Sequence, residues 1–463
     1  MMGWQILRRR PLVWMGFCSI LFSGAVMAQL GSPVTLAAIQ ACDPDRPGQS
    51  PMPCGLIVIN TDPGQAAVNV AELLEAVGAR PSHDFTSTNA AAGRVSNRSV
   101  LADLVRLPGI QVIPDRPVRA LARPDGKGKP GGNTSGSDQL IPAGISRIGA
   151  TPGTLAVSGN GIGVAIADTG LDSAHADLAV ASPCYDAFGG NCQDQNGHGT
   201  HVGGIISALD NNVDVVGVAP AATLYAVRVL DANGNGSDST IMAGLQWVIN
   251  NATSQATPIR VVNMSLGRPG SLGDNPALRS LVQTLKTMGI SIVVAAGNDA
   301  TKEVANMVPA VYPEVMAVAS TSAKSGSNKC RGFAGVIAAD TASYFTTDGS
   351  GVMISAPGER QENISRGCKV SSQGILSLNA GGGTTRDSGT SMAAPHVAGV
   401  IALMLAQGGS GLSGADLVDY IRTTLRSTAT GIGTAPLNSP TGSYSFDGER
   451  EGVVSACAAL GAC

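Results

Sequence analysis

The chain has 463 residues, 43% apolar and only 3% aromatic, with 60 glycines and a net charge of −3. That length gives a sizeable core in two or three domains, and the composition excludes a fibrous or disordered chain. From Asp138 onward 17 Lys/Arg stand against 24 Asp/Glu with no basic tract, which argues against a nucleic-acid partner.

The N-terminus reads as a targeting segment. Arg8, Arg9 and Arg10 precede an apolar run at 12–26, and Val26-Met27-Ala28 has the small-residue form of a cleavage site. The run is too short for a comfortable membrane span. The expectation is a signal peptide over 1–28, removed to leave a secreted (periplasmic or extracellular) product without a stable membrane anchor. An uncleaved anchor is the alternative, and the arginines hint weakly at twin-arginine export. Cys18 leaves with the signal. The eight remaining cysteines of an exported chain read as disulfides, for which 105 pairings exist. Proximity favours Cys42–Cys54, Cys184–Cys192, Cys330–Cys368 and Cys457–Cys463. A zinc site is the competing reading, but no CxxC spacing supports it.

Residues 29–122 contain a small α+β unit at about 55–120. "GLIVIN" is a strand candidate. Val68, Leu73, Leu74 and Val77 share a helical face in 64–79, which Gly78 closes. A second helix is expected over 99–110, stopped by Pro108-Gly109, and a final strand over 110–120. The linker 123–137, "RPDGKGKPGGNTSGS", buries almost nothing and is where proteases cut. From 138 to 463 short apolar runs alternate with helical stretches at 240–250, 276–288 and 391–405. That alternation predicts an α/β fold, a parallel sheet with helices on both faces. Gly159, Gly161 and Gly163 precede a strand instead of following one, so they do not form a dinucleotide loop.

Four residues stand where such a sheet places ligands, at carboxyl ends of strands and at helix starts. Asp168 ends "GVAIAD", Asn298 follows "SIVVAAG", His198 opens "HGTHVGG" and Ser391 opens "SMAAPHVAG". A serine hydroxyl needs a base to take its proton, and a histidine serves near neutral pH. A buried carboxylate holds the imidazole's tautomer. A helix N-terminus and an asparagine amide supply the donors that a tetrahedral oxyanion needs. Each residue alone is more often structural; together they fill every role of nucleophilic acyl transfer. His198 and His201 lack the glutamate of the helical zinc motif, and His83, His175 and His396 read as structural. A hydrolase-fold esterase would need GxSxG, but Ser391 lies in Gly-Thr-Ser-Met-Ala.

The segments "IADTGLDSAHADL", "NGHGTHVGG", "VVNMSLG", "AAGND" and "SGTSMAAPHVAG" resemble the subtilisin family of serine peptidases, in the order Asp, His, Ser. The resemblance runs from about Gln139 to the C-terminus and is what points to peptide bonds as substrate. It implies a subtilisin-like three-layer fold and an endopeptidase with Asp168, His198 and Ser391 catalytic and Asn298 at the oxyanion. Ala394 and Gly203 depart from common family residues without removing a functional group. A catalytically dead scaffold that merely holds peptides is the rival reading.

The resemblance carries further expectations. Peptide substrates would lie as an added strand between Gly234-Asn235-Gly236 and Ser265-Leu266-Gly267. Calcium, with six or more oxygens, would take side chains of Asp177 and Asn211, carbonyls of Leu209, Val213 and Val215, and one more oxygen from Gln139. The unit at 55–120 resembles the inhibitory propeptide, the enzyme's own intramolecular partner, with processing near Ser137–Asp138 and a monomeric product. "GEREGVVSACAALGAC" resembles the closing helix. Asp299 and the loop 303–310 would border the pocket before the scissile bond, and Met392 beside Ser391 would be open to oxidation.

Overall fold

The computed structural model describes residues 54–62, 64, 69–95, 98–121, 139–441 and 446–463. The expected signal peptide, the Cys42 end of the expected Cys42–Cys54 bridge and the linker 123–137 lie outside the described residues, as does Val68.

The first unit is a four-stranded antiparallel sheet under two helices. Its elements are β1 (Cys54–Asn60), α1 (Val70–Ala76), β2 (Arg80–Phe85), β3 (Ala90–Val95), α2 (Arg98–Leu104) and β4 (Ile110–Pro114), in the order β2-β3-β1-β4. Asn69 caps α1 by accepting from the N–H groups of Ala71 and Glu72, and Gly78 follows with φ 83°. The strand period of two sends alternate side chains to two cores. Leu56, Val58, Ala91 and Val112 face the unit's own helices. Ile57, Ile59, Ala90, Ala92 and Ile113 join the core of the larger unit instead. The single strand expected over 110–120 is broken in two. Pro114 and Pro117 lack the N–H a continuous ladder needs, so β4 ends and β5 (Pro117–Ala120) begins in a different sheet.

The larger unit opens with α3 (Ala143–Arg147), β6 (Gly163–Asp168), β7 (Val180–Asp186), α4 (His198–Ser207), β8 (Thr223–Arg228), β9 (Asn235–Ser237) and α5 (Asp238–Asn251). It continues with β10 (Ile259–Met264), β11 (Leu266–Pro269), α6 (Pro276–Thr287), β12 (Ser291–Ala295), β13 (Met307–Val308) and β14 (Met316–Ser322). The hairpin β15 (Gly326–Asn328) and β16 (Gly335–Ile337) leads to β17 (Val352–Glu359), then to the hairpin β18 (Gln361–Ile364) and β19 (Val370–Gln373). A hairpin of β20 (Ile375–Leu378) and β21 (Thr384–Asp387) precedes α7 (Thr390–Gln407), α8 (Gly414–Ser427) and α9 (Ala456–Ala459).

The seven-stranded sheet β17-β14-β12-β10-β6-β8-β7 is parallel throughout. Val164 and Ile166 face one core, Ala165 and Ala167 the other. Both faces are covered by helices, the layering that the alternating runs predict and that the family resemblance implies. α7 is buried from Thr390 to Met404 and is apolar on all sides, as a helix crossing a core must be. α3 approaches it so closely that a Cβ on Gly144 would lie 2.1 Å from His396 Nε2.

Two elements depart from expectation. The C-terminal segment has one turn of helix, Ala456–Ala459, not a long closing helix. Glycines at 448 and 452 take positive φ, and Val453 forms bridges to Ser355 and Thr430, which hold the chain extended. α8 went unread although Leu417, Val418, Ile421 and Leu425 line one face at helical spacing. Disulfides join Cys184–Cys192, Cys330–Cys368 and Cys457–Cys463.

Candidate active site

Asp168 is the last residue of β6 and is fully buried. Gly170, with φ 108°, turns the chain immediately afterwards, where a Cβ would lie 2.4 Å from the Cys192 carbonyl oxygen. His198 is the first residue of α4, after Gly197 at φ 98°. Its Nδ1 donates to Asp168 Oδ1 at 2.7 Å, and the same oxygen accepts from the Thr169 N–H at 2.7 Å. That bond leaves Nε2 as the basic nitrogen, and Nε2 has no partner among the described residues. Burial opposes the charged imidazole, but the adjacent Asp168 charge and its hydrogen bond outweigh it, with smaller help from Asp387 and Asp194. The His198 pKa is therefore raised above its ordinary value. His201 goes the other way: burial and the neighbouring His198 push it down to about 3. His396 is pushed down to about 4 by burial, and its Nδ1 donates to the Met392 carbonyl at 2.8 Å.

Ser391 is the second residue of α7 and is fully buried. Its Oγ donates to the Ser265 carbonyl at 2.9 Å, while Ser265 Oγ donates back to the Ser391 carbonyl at 2.8 Å. The Ser391 N–H lies in the first turn, where helices leave donors without an internal acceptor. Asn298 follows β12. Its Oδ1 accepts from the Thr390 N–H at 2.9 Å and from Thr390 Oγ1 at 3.0 Å. Those two donors fix which way the carboxamide points, and Nδ2 donates to the Leu121 carbonyl oxygen.

Leu121 reaches that point because β5 is laid between β9 and β11, antiparallel to both. Val118 pairs with Gly236, Arg119 with Asn235 and Gly267, and Ala120 with Leu266. The Ala120 N–H donates to the Gly234 carbonyl at 3.0 Å and the Leu121 N–H to the Ser265 carbonyl at 3.2 Å. All six residues expected to line a peptide groove thus border one strand of the chain itself. A Cβ on Gly267 would lie 3.2 Å from Leu121 Cδ1, and the Val118 side chain is buried. Asp299 is turned to Thr301 Oγ1 at 2.5 Å and Lys302 Nζ at 3.4 Å. Met307, from the loop 303–310, is buried, as is Met392.

Sequence reading missed two supports. Asp194 Oδ1 accepts from the Gly197 N–H at 2.8 Å, the Asn196 N–H at 3.0 Å and Thr169 Oγ1 at 2.9 Å. Its Oδ2 accepts from the Thr200 N–H and Oγ1 at 2.9 and 2.7 Å, so one carboxylate ties the start of α4 to the turn after Asp168. Asn263 Nδ2 donates to Ser265 Oγ at 2.9 Å. The one hint was an acidic residue four positions before His198.

The six residues expected at a cation also converge. Gln139 Nε2 faces the carbonyls of Leu209, Val213 and Val215, the latter two at 2.9 and 2.7 Å, and Asn211 Oδ1 at 3.5 Å. An amide nitrogen has two hydrogens, so four acceptors exceed what it can satisfy. Asp177 Oδ2 accepts from the Val215 N–H at 3.2 Å, while its buried Oδ1 has no partner among the described residues. Burial, with Asp214 nearby, pushes the Asp177 carboxyl up to about 7. The donors are all oxygens once the Gln139 amide is turned, which suits a hard cation such as calcium.

The model of the subtilase family matches residues 159–446. The chain is 36% identical over 301 residues to subtilisin Savinase of Lederbergia lenta, covering 65% of this chain and 95% of that protein. It is equally 36% identical to M-protease of Shouchella clausii, covering 65% of this chain and 67% of that one. Among solved structures, fervidolysin from Fervidobacterium pennivorans, a keratinolytic enzyme related to subtilisin, superposes with a TM-score of 0.61 at 25% identity. That superposition covers 90% of this chain and 62% of fervidolysin.

Proposed function

The chain belongs to the subtilase family of serine endopeptidases, and from that premise we propose that it is a secreted proenzyme that processes itself. Ser391 Oγ attacks the scissile carbonyl while His198 Nε2 takes its proton, and Asp168 steadies the imidazolium. Asn298 Nδ2 and the Ser391 N–H hold the oxyanion. His198 then returns the proton to the leaving amine, the C–N bond breaks and an acyl-Ser391 ester remains. Water, deprotonated by His198, hydrolyses the ester. The Ser391 hydroxyl turns from the Ser265 carbonyl to His198 to begin.

One observation carries the reading: the Leu121 carbonyl is held by the Asn298 amide, at the end of a strand laid between β9 and β11. A carbonyl at that point is one poised for attack. The first cut is therefore assigned to Leu121–Ala122, upstream of the position near Ser137–Asp138 expected from sequence, with the linker 123–137 trimmed afterwards. Residues 29–121 then form the propeptide and 138–463 the core of the monomeric catalytic unit. The propeptide stays as inhibitor through further contacts. Asp115 accepts from the Ser239 N–H at 2.8 Å and Oγ at 2.6 Å, Arg116 pairs with Asp274, and Ser87 Oγ donates to Gln246 at 2.5 Å. Asp115 is buried there, which raises its carboxyl pKa. Leu121 and Val118 mark a preference for aliphatic side chains at the first and fourth positions before the cut.

Gln139, Asp177, Leu209, Asn211, Val213 and Val215 would hold calcium, which supplies charge to knit the N-terminal end of the catalytic unit to the 207–220 loop. The test of the whole reading is intact mass of the secreted wild type and Ser391→Ala with a fluorophosphonate probe. A processed wild type labelled on Ser391, beside an unprocessed and unlabelled mutant, is expected. An unlabelled wild type that keeps its N-terminal unit would show a latent or inactive scaffold instead.

A further inference from the structure

The hairpins β15–β16 and β18–β19 form a small sheet, order β16-β15-β18-β19, outside the seven-stranded one. β15 and β18 run parallel, so the turns that follow them, 329–334 and 365–369, emerge at the same end. Lys329 donates its N–H to the Ile364 carbonyl at 2.8 Å, and the Cys330–Cys368 disulfide staples the two turns together. Beneath them Cys330, Ile337 and Ile364 make a small core of their own. The tip is thus built and held, but no residue of it hydrogen-bonds to the groove around β5.

Its surface is basic and apolar, against an acidic excess over 138–463. Lys329, Arg331, Arg366 and Lys369 are all exposed, and none of them forms an ion pair among the described residues. No acidic residue occurs in 324–339 or 363–373, whereas 138–463 as a whole carries 17 basic and 24 acidic residues. The nearby carboxylates Glu359 and Glu362 are 0% and 1% exposed and offer no compensating surface charge. Phe333, in the same turn as Lys329 and Arg331, and Val336, in the adjoining β16, are 75% and 79% exposed, well above every other large apolar residue that is exposed among the described residues. Two bare apolar side chains among unpaired cations are costly to keep in water and mark a contact surface.

We propose that this disulfide-stapled tip docks the protein on a bilayer rich in anionic phospholipid. Cations attract the negative headgroup surface, and Phe333 and Val336 enter the boundary between headgroups and acyl chains. A soluble polyanion would satisfy the four cations alone and leave the apolar pair in water. The complementarity of both features selects the lipid surface. The acidic remainder of the body is repelled from such a surface, so the tip also fixes the orientation of the bound protein.

The test is co-sedimentation of the full chain, as the intact Ser391→Ala form, with phosphatidylglycerol–phosphatidylcholine vesicles and with phosphatidylcholine vesicles. Binding to the first and not the second, weakening with salt, is expected. Phe333→Ser with Val336→Ser should lower partitioning about tenfold or more. Arg331→Ser with Lys369→Ser should lower it about twenty-five-fold, near fivefold per cation. Unchanged melting temperatures of both double variants separate lost contact from lost fold. No binding to anionic vesicles at low salt, equal binding by the variants, or retention on heparin without vesicle binding would each overturn the proposal.

Discussion

The carboxamide of Asn298 donates its N–H to the carbonyl oxygen of Leu121, while its own oxygen is held by Thr390, the residue before Ser391. A single side chain therefore links the end of the N-terminal unit to the helix that carries Ser391. The direction of its donor is set by Thr390, not by the group it receives.

If that contact marks the first scissile bond, the released N-terminal piece ends at Leu121. Mass spectrometry of the freshly secreted mixture should find it, together with a catalytic unit beginning at Ala122 or trimmed into 123–138. Leu121→Asp should slow the first cut strongly, since the groove offers Gly267 and apolar neighbours but no cation among the contacts described. A first cut unaffected by that change would place processing elsewhere.

On the proposed assignment, replacing Asn298 by alanine removes one oxyanion donor. The expected loss is about 10²–10³ in kcat, the magnitude already known for the corresponding asparagine of subtilisin, with KM nearly unchanged. A rise in KM at constant kcat would instead assign Asn298 to ground-state binding.

With His198 as the proposed base, the pH profile follows from its titration. Its pKa is raised because the Asp168 carboxylate outweighs the effect of burial, and only the neutral imidazole can accept the Ser391 proton. Activity is therefore lost as pH falls through that raised pKa. The acid limb of kcat/KM should lie above the ordinary imidazole value of about 6.5. Asp168→Asn should remove the attraction and lower kcat by about 10⁴. A limb below the ordinary value in the wild type would contradict the assignment.

Calcium should raise the melting temperature of the catalytic unit and chelator should lower it, since a ligand of the folded form stabilises by mass action. Saturation a hundredfold above the dissociation constant is worth about 2.7 kcal/mol. Asp177→Asn should shrink that difference, because it removes the one ionic donor among the six expected ligands. A melting temperature indifferent to calcium in the wild type would leave these oxygens a structural cluster only.

The parts of the site that could be read in sequence are those whose chemistry is local. Asp168, His198 and Ser391 each stand at the junction of an apolar run and a small-residue turn, and that context travels with the residue. Asp194 and Asn263 could not be read in the same way. Asp194 gains its meaning only when Thr169, just after β6, and Thr200, in α4, are brought to it, whereas Asn263 reaches Ser265 two positions on, whose own partner, the Ser391 carbonyl, is distant in sequence. β2 and β3 were invisible for different reasons: β3, "AAAGRV", is covered on both faces and so shows no alternation, while β2, "RPSHDF", is mostly exposed or half-buried and carries almost no apolar signal. α8 is legible in its spacing, with Leu417, Val418, Ile421 and Leu425 on one face. The closing helix was misjudged because glycines and a β-bridge override the apolar run near 453–460.

α7 joins two things that many enzymes keep apart. The serine proposed to cut peptides begins the same helix that fills the space beneath the parallel sheet. Loosening Ser391 therefore means opening the interior, so amide exchange along α7 should report global unfolding and not local breathing. On the proposed assignment, a chain only partly assembled has no nucleophile in place, and so is harmless to its neighbours, and to itself, until its interior is complete.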